Sequence, residues 1–185
     1  MRLFRISVLV DVDVADPVEM LKDRDLALRG DTLNQPLAAT RHNEVDQGVN
    51  EYARRMPPDF SVDWQELAPA KRGSGSATRY REQEAGAILS RLSQADTLVA
   101  LDVAGLAVST EMIAERFDAW QMDGTQPSLV IGGPDGLHDT VLQRARESWS
   151  LGRITLPHPL VRVVLAEQIY RAWSIGAGHP YHRGT

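Results

Sequence analysis

The sequence predicts an α/β domain built on a mostly parallel sheet flanked by helices. Three observations carry that prediction. Short β-prone runs alternate with longer helix-patterned stretches along the chain. Two of the runs, residues 98–101 and 129–131, are apolar at every position, as strands covered by helices on both faces must be. Three predicted strands also run directly into glycine, proline or aspartate, at the edge where open α/β sheets bind ligands.

The elements follow in chain order. Leu3, Phe4, Ile6, Val8 and Val10 stand around Arg5 and Ser7 and predict a first strand over residues 2–10. Residues 11–17 read as a turn, 18–28 as a helix, and 30–41 as a polar stretch broken by Pro36. A connection of this length is unusual in a compact domain, so residues 11 to about 46 read as an inserted segment. A helix over 49–56 stops before Pro57 and Pro58. Residues 60–67 alternate as a second strand, and a basic glycine–serine loop, 71–76, leads to a helix over 80–92. Residues 97–101 form a buried strand closing at Asp102. Ser109 or Thr110 caps a helix to about Met122, with Ile113, Phe117 and Trp120 on one stripe. A strand over 128–131 ends in Gly132-Gly133-Pro134-Asp135-Gly136, and a helix follows to about Ser148. Residues 153–156 predict a short strand. Pro157-His158-Pro159 then opens a long helix, with proline where its missing N–H costs nothing. That helix runs to Ser174 and ends at Gly176. No repeat or linker divides the chain, which reads as one domain.

Composition narrows the function. With 185 residues, 43% of them hydrophobic, the chain can bury a substantial core. It has no cysteine, which excludes disulfide frameworks, thiol nucleophiles, thiolate zinc sites and iron–sulfur clusters and fits a cytoplasmic protein. The apolar start is short, carries Arg5 and meets Asp11 and Asp13, unlike a signal peptide. No run approaches the ~18 apolar residues of a membrane span. A net charge of −5 argues against a general nucleic-acid binder. The charge is unevenly spread, however. Residues 137–185 hold six arginines against three acids and four of the five histidines, whereas the first fifty hold nine acids and six bases. The C-terminal third can therefore meet phosphate, unless the unevenness is chance.

The candidate sites lie at three strand ends: Leu101-Asp102-Val103-Ala104-Gly105, the run from Gly132 to Gly136, and Leu156-Pro157-His158-Pro159. Glycines there let backbone approach a ligand, although each run alone also reads as a plain turn. The spacing matches neither a dinucleotide fingerprint nor a P-loop, and no nucleophile elbow is present. His179 and His182 lack acidic or thiolate neighbours, so no metal is expected. On the long helix, Arg162, Glu167 and Arg171 stand among apolar residues that wrap most of the way round, which implies burial against the domain and a partner subunit. An arginine there must pair or touch a ligand, and both an ion pair of Arg171 with Glu167 and a functional Arg171 stay open. The tail from His179 to Arg183 reads either as a frayed end or as a proline-stiffened functional segment.

Taken together, several motifs carry a specific resemblance: the run from Leu129 to Leu137, Ser148-Trp149-Ser150-Leu151, Thr155 through Val163, Glu167 through Trp173, and His179-Pro180-Tyr181-His182-Arg183. Upstream, Asn50 through Arg55, Ala70-Lys71-Arg72-Gly73 and Leu101-Asp102 join them. This set closely resembles the ribosomal RNA large subunit methyltransferase H family, SPOUT enzymes that methylate N3 of a pseudouridine in 23S rRNA. The resemblance implies a SPOUT-type sheet with a C-terminal trefoil knot, a homodimer, and action on rRNA within the assembled ribosome. It implies S-adenosylmethionine held by Leu101, Gly132, Leu151, Gly152, Arg153, Ile154, Thr155 and Leu156. It further implies His182 or Tyr181 assisting loss of the N3 proton, and Arg171 offsetting charge on the base carbonyl or holding a phosphate. His158 would shape its loop, and Lys71 and Arg72 would contact RNA backbone. The departure is residues 11 to about 46, where the family has a short loop. A SPOUT enzyme with another RNA target, or a non-catalytic ribosome-binding relative, are the alternative readings.

Overall fold

The structure, a computed structural model, describes residues 3–11, 37–68, 70 and 73–183. The helix expected over 18–28 lies outside these residues, as do Lys71 and Arg72. In chain order the elements are β1 (Phe4–Asp11), α1 (Leu37–Ala53), β2 (Phe60–Leu67), α2 (Ala77–Ser90), β3 (Thr97–Ala107), α3 (Thr110–Asp123), β4 (Pro127–Ile131), α4 (Asp139–Arg144), β5 (Glu147–Ser150), α5 (His158–Gly176) and a closing 3₁₀ turn (Pro180–Arg183).

The five strands form one sheet in the order β2-β1-β4-β3-β5, and every neighbouring pair is parallel. The two-residue period of each strand sorts its side chains onto two faces. Phe4, Ile6, Val8 and Val10 of β1, Val99 of β3, and Leu129 and Ile131 of β4 pack under α3 and α5, against Ile113, Phe117, Leu165 and Ile169. Leu9, Leu98, Ala100 and Val130 point the other way, against Ala85 and Ile88 of α2 and Val141 of α4. Helices on both faces are what the wholly apolar runs required, and the α/β fold class is as expected.

Local signals explain most boundaries. Ser76 accepts from the Arg79 amide at 3.3 Å, so α2 starts earlier than its apolar stripe suggested. Ser109 caps α3, and Gly124 ends it at φ 71° in a left-handed cap. Three elements differ from the sequence expectation. Helix α1 starts at Leu37, far ahead of Val49, because Val45, Val49 and Tyr52 recur at helical spacing and Gly48 packs against Val163 of α5. The helix expected to reach Ser148 is only the short α4. The last strand lies at 147–150, whereas 153–156 is loop. Tertiary packing decides this: Trp149 is buried and stacks on Trp120 at 5.7 Å, its indole donates to Glu147 at 2.9 Å, and Glu147 pairs with Arg116 of α3. Gly152 then turns the chain with φ +143°, which ends the strand.

Candidate active site

Parallel pairing gathers the expected strand ends. Leu101 of β3 sits opposite both Ile131 of β4 and Trp149 of β5. Leu101, Gly132 and the loop from Leu151 to Leu156 therefore leave the sheet along one carboxyl edge. Glycine shapes this edge. A Cβ on Gly132 would lie 3.0 Å from the Gly136 backbone and from the Leu137 side chain, because the loop folds tightly back on itself. The Ser150 hydroxyl donates to the Gly152 carbonyl at 2.9 Å and fixes the start of the third loop.

Sequence reasoning missed one part of this edge. β3 continues past Leu101, loops out over 102–105, and pairs again with β5 at Leu106 opposite Trp149. The Asp102 carboxylate accepts the Ala104 amide at 2.8 Å inside the loop. Gly105 lets the loop close, since a Cβ there would meet the Ser148 carbonyl at 2.7 Å. Val103, Leu106 and Ile154 stand exposed around it. Backbone turns with an apolar rim suit a flat, largely uncharged ligand surface read by main-chain groups.

The second cluster lies between α1, α5 and the tail. The 3₁₀ turn lays the Tyr181 ring against Tyr170 of α5, 4.7 Å between centroids and edge to face. The Tyr181 hydroxyl donates to Glu167 at 3.2 Å, and Tyr52 of α1 lies near it. Burial, the neighbouring Tyr52 and the Glu167 charge push the Tyr181 phenol up to about 12. Arg171 donates from Nε to the same Glu167 oxygen at 2.8 Å and lies over the Tyr181 ring at 4.9 Å. Its bond to Glu167 raises its pKa and keeps it charged. The ion pair left open by the sequence is therefore formed. Arg55 adds a second cation over Tyr52 and Tyr170. His182 follows Tyr181, and its Nδ1 is buried with no hydrogen-bond partner among the described residues. Tyr52, Arg55 and Tyr170 were not singled out from the sequence, although Tyr52 and Arg55 fall inside the 50–55 motif.

The structure brings Arg171, Tyr181 and His182 together, and it brings the strand-end residues together, but as two separate groups. His158 and Glu167 lie nine positions apart on α5, or roughly 14 Å along the axis. The C-terminal positive charge is also more committed than the sequence suggested. Arg144 donates to the carbonyls of Ser93, Gln94 and Asp96, Arg162 is buried between Asp46 and Glu66, and Arg171 is paired. Arg146, Arg153 and Arg183 remain exposed. No group of three potential metal ligands occurs among the described residues, and no described helix is long and apolar enough to cross a membrane.

The model of a family described as "Predicted SPOUT methyltransferase" matches residues 37–182. The chain belongs to the SPOUT methyltransferase family. The match starts at the first residue of α1 and takes in both clusters. Among individual SPOUT relatives, the chain is similar to proteins named ribosomal RNA large subunit methyltransferase H. The one from Chromohalobacter salexigens is 49% identical over 140 residues, covering 75% of this chain and 90% of its own. Those from Teredinibacter turnerae and Hahella chejuensis are 50% and 46% identical over 143 and 140 residues, with the same coverage. The resemblance carried by the C-terminal motifs is borne out.

Proposed function

We propose that this chain transfers a methyl group from S-adenosylmethionine to N3 of a pseudouridine in 23S rRNA, on the assembled ribosome in the cytoplasm. One observation carries the reading. The family match spans residues 37–182, so it contains both the strand-end cradle and the tail cluster, and the relatives similar over 90% of their length are named for large-subunit rRNA.

The strand-end residues fit the cofactor. Leu101, Gly132, Leu151, Gly152, Arg153, Ile154, Thr155 and Leu156 would hold it, with tight glycine backbone at Gly132 and Gly105 and the apolar rim receiving its adenine. When bound, S-adenosylmethionine supplies a methyl group activated by a sulfonium. The protein's task is to align the acceptor nitrogen and manage its proton. Of the two candidate proton acceptors, the geometry favours His182. The Tyr181 phenol holds its proton to about pH 12 and directs it at Glu167, so Tyr181 acts as a pin. The half-buried His182 ring follows it, its Nδ1 without a hydrogen-bond partner among the described residues. Arg171 presents a fixed cation that offsets charge on the base carbonyl or a phosphate. Lys71 and Arg72 would contact RNA backbone.

The separation of roughly 14 Å along α5 supports a homodimer in which each tail serves the partner's cradle. The C-terminal trefoil knot of the family belongs to the same reading. The deciding experiment offers the protein and labelled cofactor to intact ribosomes, naked rRNA and tRNA, then maps the modified nucleotide. Methylation of a pseudouridine N3 on ribosomes is the expected result. Methylation of tRNA alone, or no cofactor binding by calorimetry, overturns the proposal.

A further inference from the structure

We propose that Gln168 of α5 is a positioning residue: held by Thr110 of α3, it fixes the Glu167 carboxylate and so aims the Arg171 guanidinium. This rests on the reading of Arg171 as the cation that meets the base carbonyl or a phosphate.

Glu167 needs such a partner. The last torsion of a glutamate is broad, so its own rotamer does not set the plane of the carboxylate. One oxygen, Oε1, accepts from Arg171 Nε at 2.8 Å and from the Tyr181 hydroxyl at 3.2 Å. A carboxylate held at that oxygen alone can still swing, and Arg171 would swing with it. Gln168 holds the other oxygen, donating from Nε2 to Oε2 at 2.7 Å. The amide is in turn oriented from another helix. The Thr110 hydroxyl donates to Gln168 Oε1 at 2.6 Å, which turns the NH2 end toward Glu167. A flipped amide would set its carbonyl against the carboxylate, two acceptors with no proton between them. Thr110, Gln168, Glu167 and Arg171 thus form one directed chain of half-buried groups.

The chain starts beside the cradle. Two residues before Thr110, the Val108 amide donates to the Ser150 carbonyl at 3.1 Å, and the Ser150 hydroxyl donates to the Gly152 carbonyl in the third loop. Helices α3 and α5 are also matched in register. Thr110 meets Gln168, and eight residues further along each helix a Cβ on Gly176 would lie 3.1 Å from Asp118 Oδ1. The carboxylate that aims Arg171 is therefore referenced to the sheet edge that carries the cradle. A catalytic group displaced by about 1 Å can lose up to ~100-fold in rate, so loss of this reference affects turnover more than binding.

The test is a double-mutant cycle in the full-length protein, assayed on ribosomes: Gln168→Met, Thr110→Val and the two combined, with Arg171→Ala beside them. Methionine keeps the length of glutamine and removes its hydrogen bonds. We expect Gln168→Met to lower kcat roughly three- to tenfold, with the KM for ribosomes, cofactor affinity and Tm at wild-type values. Thr110→Val should lower kcat about twofold, and the combined variant should be no slower than Gln168→Met, because Thr110 acts through Gln168. Thr110→Ser, which keeps the hydroxyl, should recover the rate that Thr110→Val loses. Wild-type kcat in Gln168→Met, with Arg171→Ala inactive, overturns the role of Gln168 and leaves that of Arg171 standing. Effects that multiply in the combined variant overturn the chain from Thr110. A parallel loss of kcat, cofactor affinity and Tm in Gln168→Met also overturns the proposal, because a general structural role gives that pattern. Full turnover in Arg171→Ala overturns the reading of Arg171 and the proposal with it.

Discussion

Tyr181 shows how one side chain acquires its role from its surroundings. A free phenol is protonated at neutral pH and so is a poor base. Here burial, Tyr52 and Glu167 hold the proton to about pH 12. The folded pKa lies above the ordinary value near 10, so the tail packing it supports is complete below that pH. The support is lost as pH rises toward 12. Ultraviolet titration of the phenolate should therefore show a late-ionising step that Tyr181→Phe abolishes. A titration curve that Tyr181→Phe leaves unchanged would contradict the packing described. Tyr181→Phe keeps the contacts with Tyr170 and Arg171, so turnover should fall only severalfold, whereas Tyr181→Ala should lose most activity. The Arg171 pair with Glu167 was legible as i,i+4 spacing, but its sharing with Tyr181 was not. Hydrogen bonds across fourteen residues of sequence leave no periodic trace.

Among the elements, β3 is the one whose shape matters most for the cradle. The run 98–101 in its first half was plain from composition, because each residue there is apolar. Its second half follows an outward loop and is exposed at Val103 and Leu106, so no alternation announces it. Only pairing with β5 reveals it. Gly105→Ala should force the loop off Ser148, at a cost of about 1–3 kcal/mol. Tm should fall by several degrees, and cofactor affinity at least tenfold. Gly86, exposed on α2 with open space around it, is the contrast: Gly86→Ala should raise Tm, since alanine favours helix by about 1 kcal/mol. Equal Tm changes in the two variants would argue against the close approach at Gly105. Helix α1 teaches a similar lesson. Residues 37–46, read from sequence as part of the inserted segment, belong to the helix that carries Tyr52, and that helix packs against α5 at Gly48 and Val163.

For the whole molecule, the separated clusters make a prediction about assembly. If each tail completes the partner's cradle, two inactive proteins should complement one another. His182→Ala mixed with a cradle variant such as Gly132→Val should form hybrid dimers with one intact site each. Equal mixing with free exchange gives about a quarter of wild-type activity. No recovery, with exchange of subunits demonstrated by mass, would place both clusters of one site in the same protomer. Charge belongs to this scale as well. The uneven arginine distribution suggested a basic third, but Arg144, Arg162 and Arg171 are engaged within the fold. What is left is Arg146, Arg153 and Arg183, a sparse display for an acidic chain. That suits a large preshaped target better than free RNA.

The sequence by itself determined the fold class, the cores of the first four strands, a cap at Ser109 or Thr110, and the family, because each depends on local pattern or on a contiguous motif. The tertiary structure decided the rest. The last strand fell at 147–150 because Trp149 needed Trp120 and Glu147 needed Arg116. The strand ends became one cradle because Leu101 paired on both sides. Tyr52 and Tyr181 both met Tyr170 because α1 and the tail fold onto the same helix. Each of these is a contact between residues far apart in the chain, and spacing along a sequence carries no record of such contacts.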